Sequence, residues 1–184
     1  FFSKNTSQEV ATVRAGNVIG GGDYSKDRLI PDLLSKVKNN KKIIIRNPHS
    51  TRPWQHVLEP LSGYLILAEN LYTKNKAVCK QVQNWNFGPN IANCKSVKYI
   101  AKFIAKRINM RFKIVKTKSK IFKPETNFLR LSNNKSKQYL SWYPKWSLNK
   151  TLEKILEWNF LTKAGNPKLV CEQQIKQYLK DQTI

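Results

Sequence analysis

A chain of 184 residues, 40% of them apolar, can bury one sizeable core, and no apolar run approaches the roughly 20 residues that a membrane helix needs. Cys79, Cys94 and Cys171 lie far apart and form no Cys-x-x-Cys, which argues against a disulfide framework or a zinc site and for a reducing cytoplasm. The formal charge of +23 raises nucleic acid as a partner, but only seven of the 34 basic residues are arginine and the lysines are spread through every segment, so arginine reads as signal and lysine as solvated background.

Neither nucleic acid nor a membrane is therefore expected as a partner. The chain begins Phe1-Phe2, with no initiator Met and no basic or apolar leader pattern, and so reads as cut from something longer.

Glu9 to Ala15 predicts a strand, centred on Val10-Ala11-Thr12-Val13, that runs into Arg14-Ala15-Gly16-Asn17-Val18-Ile19-Gly20-Gly21-Gly22-Asp23. A β-branched run that stops at a glycine cluster is a strand end where backbone passes close to another group. The spacing G-x-x-x-G-G-G is not the G-x-G-x-x-G of a dinucleotide fingerprint, and no Gly-Lys-Ser/Thr follows to make a P-loop. The pattern leaves two readings: an oxyanion received by the Asn17 amide and nearby backbone N–H groups, or a plain glycine-rich turn.

Asp27 to Asn40 predicts a helix capped by Asp27, with Pro31 tolerated in its first turn and Ile30, Leu33, Leu34 and Val37 as its apolar stripe. Arg28 then stands at a helix start facing the glycine loop. Ile43 to Arg46 reads as a short buried strand.

The stretch from Arg46 to Pro60 crowds Arg46, His49, Arg52, Trp54 and His56 between two apolar segments, with Pro48 and Pro53 restricting the backbone. That composition suits a planar anionic ligand, because arginine offers a forked donor that matches phosphate oxygens in pairs. The alternative is a loop rim with surface arginines and Trp54 as a core anchor.

Further helices are predicted over Val57 to Tyr72, from a cap at Ser96 through Ile108, over a short piece ending at Tyr139, over Leu148 to Leu161, and over Leu169 to Leu179. The last is expected to be peripheral and to fray. Gln83 to Phe87 alternates as a half-buried strand and Gly88-Pro89 ends it, while Phe112 to Val115 is a further strand by pattern. Strands and helices alternate, so the class is α/β. Residues 1–161 read as one unit and 162–184 as a peripheral helix.

Taken together and in order, Arg14 to Asp23, Asp27 to Asp32, Ile45 to Pro48, Arg52 to Tyr64, Trp85 to Pro89 and Trp142 to Trp146 resemble the carboxy-terminal half of the CDP-glucose 4,6-dehydratases. These belong to the extended short-chain dehydrogenase/reductase group of NAD-dependent epimerases and dehydratases. The resemblance runs from about Phe1 to Leu161. It implies the last part of a Rossmann-type doubly wound sheet plus the smaller carboxy-terminal lobe that grips substrate.

The implied reaction oxidises C4 of the sugar with NAD, expels water across C5 and C6, and returns the hydride to C6. A Tyr-x-x-x-Lys pair drives it in this group. Neither that pair before the first strand nor the glycine fingerprint for NAD stands in this chain, so no catalytic residue is assigned here and both are expected upstream.

For the positions that match, the resemblance implies substrate contacts at Asn17, Arg28, Leu29, Ile30, Arg46 and Arg52, with Arg52 clamping the diphosphate of CDP-glucose or a related nucleotide sugar. His56, Asn86 and Glu125 are further candidates, and Ala15 and Gly16 would lie near the nicotinamide. His56 reads also as a structural histidine behind the arginines, and Asn86 as a support of the pocket wall. The tryptophans Trp85, Trp142, Trp146 and Trp158 read as core.

The sequence departs from the group's pattern where Pro124-Glu125-Thr126 replaces His-Glu-Ala, where Ser132-Asn133-Asn134-Lys135 lacks an Asp, and where Tyr24 replaces a Trp. The alternatives are an epimerase or dehydratase of another nucleotide sugar, or a basic binding module without chemistry. A homo-oligomer is expected of the full-length protein.

Overall fold

The computed structural model describes residues 9–38, 45, 47–81, 83–109, 126–163 and 165–181. Strand β1 (Thr12–Ala15) and strand β2 (Asn17–Ile19) are separated only by Gly16, where the chain leaves one small sheet for another. β1 pairs in parallel with β4 (Asn84–Phe87), setting Val13 beside Trp85 and Ala15 beside Phe87. β2 pairs in parallel with β3 (Thr51–His56), whose first half pairs antiparallel with β5 (Cys94–Ser96).

Gly16 is required at the crossover because a Cβ there would stand 2.4 Å from the Pro53 carbonyl oxygen. The Phe87 carbonyl ties the two sheets together, accepting from Gly16 N at 3.3 Å and from Gln55 Nε2 at 2.8 Å.

Strand β3 departs from the sequence expectation. Arg52-Pro53-Trp54-Gln55-His56 reads as a loop by composition but is a strand. Proline removes a ladder donor, and here Pro53 lies opposite Cys94 on one side and beyond the reach of β2, which begins its pairing at Trp54, on the other.

Helix α1 (Leu29–Lys38) starts two residues later than the sequence predicts. The Arg28 carbonyl accepts from Asp32 N at 3.0 Å, which makes Arg28 the cap, and Asp27 precedes it with a left-handed φ of 62°. Helix α2 (Leu58–Tyr72) begins one residue after the expected Val57 and is followed by a short helix α3 (Lys76–Cys79). Ser96 caps α4 (Val97–Arg107) as expected, its hydroxyl accepting from Tyr99 N. Beyond it come α5 (Asn134–Leu140), α6 (Leu148–Leu161) and α7 (Pro167–Lys180).

The strands expected at Ile43–Arg46 and Phe112–Val115 lie outside the described residues, apart from the buried Ile45. Helix α7 buries Val170, Gln174 and Tyr178, which is more anchorage than its amphipathic pattern alone implies.

Two cores result. Ile19 and Trp54 from the three-stranded sheet meet Leu33 of α1, Ile100 of α4 and Leu152 of α6. Trp85 and Phe87 of β4 meet Leu67 of α2 and Leu140 and Trp142 around α5. The parallel pairs and the flanking helices make the architecture α/β, as the sequence predicts. No described helix is long and apolar enough to cross a membrane, and no group of three metal-ligating side chains occurs among the described residues.

Candidate functional site

The end of β2, the start of α1 and the first half of β3 enclose a cavity of about 300 Å³. Asn17 projects from β2 directly beside Trp54 of β3, and Arg52 lies on the same face of β3 two residues earlier. Arg28, Leu29 and Ile30 bring the amino-terminal turn of α1 to the same hollow. Two guanidinium groups, one carboxamide and the positive end of a helix thus converge, and each stabilises an anion.

Arg52 is held in place: its Nη1 donates to the Thr51 carbonyl at 3.0 Å and to the Thr126 carbonyl at 2.8 Å. A guanidinium has five N–H donors in one plane, so fixing one nitrogen orients the others. The segment after Thr126 is docked in turn on β3, with Thr51 N donating to Asn127 O at 2.9 Å and Leu129 N to Thr51 O at 3.1 Å.

Trp54 and Val97 form an apolar wall, and Asp23 and Asp27 add carboxylates to the lining. The Ser25 backbone N–H, 2.9 Å from Asp23 Oδ1, holds the Asp23 carboxyl below the usual carboxylate range. A ligand that suits this lining carries negative charge together with hydroxyl or amino donors.

Of the residues singled out in the sequence, Asn17, Arg28, Leu29, Ile30 and Arg52 meet in the cavity. Arg46 and Glu125 lie outside the described residues. His56 does not line the cavity: it is buried beneath Trp146, ring centroids 4.8 Å apart, and its Nδ1 accepts from Leu58 N at 3.3 Å. Burial, reinforced by the charge of Lys154, lowers its pKa to about 4 and keeps it neutral.

Asn86 sits on β4 opposite Arg14 of β1 and also stands outside the cavity lining, its buried Oδ1 making no hydrogen bond. Ala15 ends β1 opposite Phe87, and Gly16 lies at the crossover against Pro53.

Val97, Asp23 and Asp27 were not assigned to the site from sequence, and Trp54 stood there either as part of the anionic-ligand stretch or as a core anchor. Trp54 becomes legible once Arg52 to His56 is seen as a strand, because alternate residues share a face. The two aspartates carry no comparable signal.

Glu59, the second residue of α2, is a further buried polar centre. Its carboxylate accepts from the backbone N–H groups of Lys145 (3.0 Å) and Trp146 (2.7 Å) and from the Tyr178 hydroxyl at 2.8 Å. Burial nonetheless raises its pKa, with those hydrogen bonds opposing. The network fixes the Trp142 to Trp146 segment and α7 onto the helix that follows β3.

A scan against known protein families finds no match. The chain is 42% identical over 177 residues to the CDP-glucose 4,6-dehydratase of Salmonella typhimurium, a match that covers 95% of this chain and 48% of that protein. Among solved structures it is similar to a UDP-glucose 4-epimerase of Thermotoga maritima (TM-score 0.71, 19% identity, 88% of this chain and 49% of that one). It is also similar to a dTDP-glucose 4,6-dehydratase of Bacillus anthracis (TM-score 0.63, 20% identity, 80% and 43%).

The chain spans about half the length of the relatives it matches. At these identities the solved structures speak for the fold alone: the chain has, in part, the Rossmann-like fold of the sugar-nucleotide epimerases and dehydratases.

Proposed function

We propose that this chain, akin over 95% of its length to about half of a CDP-glucose 4,6-dehydratase, is the nucleotide-sugar-binding part of an enzyme of that type. The whole enzyme would convert CDP-glucose to CDP-4-keto-6-deoxyglucose. One observation carries the reading. Asn17, Arg28 and Arg52, from a strand end, a helix start and a second strand, line one cavity of about 300 Å³ together with the positive end of α1. A diphosphate is the group that fits two guanidinium forks and a helix terminus at once, while Asp23 and Asp27 offer acceptors to ribose hydroxyls or to an exocyclic amine.

Oxidation at C4 needs the tyrosine and lysine of the group, which we place in residues that precede this chain in a longer protein. A Tyr-x-x-x-Lys spacing does occur at Tyr72 and Lys76, but both side chains are exposed at the end of α2 and the start of α3. Neither lines the cavity.

NAD is the cofactor of the whole enzyme in this reading. The residues here do not fit it unaided: Gly16 lacks a side chain because the Pro53 carbonyl occupies that space, and the chain holds no glycine fingerprint for a dinucleotide. This chain's part is to bind and orient the nucleotide sugar.

Calorimetric titration with CDP-glucose, repeated at rising salt, tests the assignment. Saturable binding that survives the salt, and that CDP alone competes away, is the expected result. Binding only to polyanions such as tRNA or polyphosphate, lost steeply as salt rises, would overturn it.

A further inference from the structure

We propose that Trp158 of α6 is a positioning residue for the nucleotide cavity: its indole is the seat of the Gly20–Gly22 turn, and so sets the spacing between Asn17 and Arg28. The inference rests on the nucleotide reading of that cavity.

Asn17 and Arg28 are joined by a single excursion of the chain. Its near end is fixed, since Ile19 pairs with His56 and its carbonyl accepts from Val57 N at 3.0 Å. Its far end is fixed by α1, whose Ile30 and Leu33 are buried in the core. Between them Gly21 and Gly22 lie against Trp158, while Gly20 lies against Val57. A Cβ on Gly21 would stand 2.2 Å from Cγ and 2.3 Å from Cδ2 of the indole, and one on Gly22 would stand 3.3 Å from Cζ2. Gly22 also has a φ of 77°, which favours glycine on backbone grounds alone; Gly21 has no such reason beyond the ring.

The other side of the turn explains why the indole matters. A second cavity, of about 320 Å³, is lined by Gly21, Gly22, Tyr24, Ile155 and Trp158, and shares Gly20, Asp23, Ile30 and Pro31 with the nucleotide cavity. The Gly20–Asp23 segment is therefore a partition between two hollows, and Trp158 is the solid part of its support.

Trp158 is itself held from behind: its Nε1–H donates to Cys171 Sγ of α7 at 3.4 Å, and only 8% of the residue is exposed. A Cβ on Gly21 overlaps Cγ of a ring that is tethered at its rear, so a substitution there forces the turn and the ring apart and shifts the partition.

The test is a double-mutant cycle on the full chain, with wild type, Gly21→Ala, Trp158→Ala and the pair compared for CDP affinity by calorimetry. Each single variant is expected to weaken CDP about tenfold or more, as displacement of a ligand-positioning element does. The pair is expected to be no weaker than the worse single, because the new methyl enters space that the indole has left.

Trp158→Ala binding CDP within twofold of wild type, or losses that simply multiply, overturn the proposal. Trp158→Leu, which fills part of the space without a planar ring, replaces Trp158→Ala with the same expectations if the latter does not melt cooperatively, while Trp158→Phe, which keeps a ring at Cγ, should bind CDP nearly as wild type does. Should wild type bind no CDP, the nucleotide reading fails, and hydrogen exchange decides the seat by itself. Trp158→Ala should then speed exchange at Gly21, Gly22 and Asp23 while leaving α4 unchanged, and equal exchange in both proteins overturns the proposal.

Discussion

The Tyr178 hydroxyl donates to Glu59 Oε2 at 2.8 Å, joining the last helix of the chain to the first turn of α2 across 119 positions. The phenol oxygen also lies 3.1 Å from Ser62 Oγ, and Trp142 Nε1 donates to both the Glu59 carbonyl and Ser62 Oγ. A buried carboxylate that loses a donor keeps its desolvation penalty. Tyr178→Phe is therefore expected to cost about 1 to 3 kcal/mol in urea unfolding. An unchanged urea midpoint would show that the contact is ornamental.

His56 gives the chain a definite pH dependence. Its folded pKa of about 4 lies below the ordinary 6.5, so between these values the unfolded chain takes up a proton that the folded chain refuses. Stability from this group is complete above pH 6.5 and drains away as the pH falls towards 4. The loss between pH 7 and pH 5 is about 2 kcal/mol.

Glu59 works the other way. Its raised pKa makes its contribution complete below the ordinary value of 4.5 and lost as the pH rises through the folded value. Subtracting a His56→Gln variant from wild type isolates the histidine. The difference in stability between the two proteins should shrink by about 2 kcal/mol from pH 7 to pH 5. A difference that stays constant with pH would mean that His56 titrates normally.

Arg52 is expected to contribute through geometry as well as charge. Arg52→Ala should weaken CDP binding by about 2 to 5 kcal/mol, and Arg52→Lys should recover only a minor part, because an ammonium cannot present a paired fork. Calorimetry at constant salt reads this directly. Full recovery with lysine would reduce the clamp to a point charge.

Gly16 tests the crossover between the sheets. A methyl there meets the Pro53 carbonyl oxygen at 2.4 Å, a backbone atom that cannot rotate aside. Gly16→Ala is expected to cost about 1 to 3 kcal/mol, from overpacking alone. A melting temperature equal to wild type would place the Pro53 contact wrongly.

Much of this molecule is legible in its sequence, and what is not has an identifiable cause. The helix over Leu148–Leu161 and the Ser96 cap are local features, set by periodicity and a single hydroxyl, and the structure has both. The meeting of Asn17, Arg28 and Arg52 was legible only through the ordered motifs, since nothing local says that a strand end, a helix cap and a second strand share a hollow.

Strand β3 was hidden because Pro53 and its charged and aromatic neighbours look like loop composition, and only the partial pairing on each side makes the proline tolerable. Glu59 and the Gly21–Trp158 contact were hidden more deeply, because the partners of the Glu59 carboxylate lie 86 or more residues away and Trp158 stands on a helix far along the chain from Gly21. A carboxylate early in an apolar helix ordinarily reads as a favourable surface charge near the helix dipole, whereas this one is 1% exposed.

The outer face of α2 leads to the last prediction. Leu61, Leu65 and Tyr72 follow one another at helical spacing and are 46%, 72% and 89% exposed, and Val13 of β1 is 39% exposed. Scattered apolar side chains on a surface are ordinary, but a continuous stripe along a helix is a face made to be covered. β1 has β4 on one side only, so its other edge presents unpaired N–H and C=O groups among the described residues. Burying such a stripe is favourable by about 25 cal/mol per Å², and copies of the chain can do it for one another when nothing else does. The 184-residue chain alone is therefore expected to self-associate as its concentration rises. Leu65→Glu together with Tyr72→Glu should shift sedimentation velocity profiles towards monomer, with CDP affinity unchanged because neither residue lines the cavity. A wild-type chain that sediments as a single monomer at high concentration and melts in one sharp step would sink the idea that this face waits for a cover.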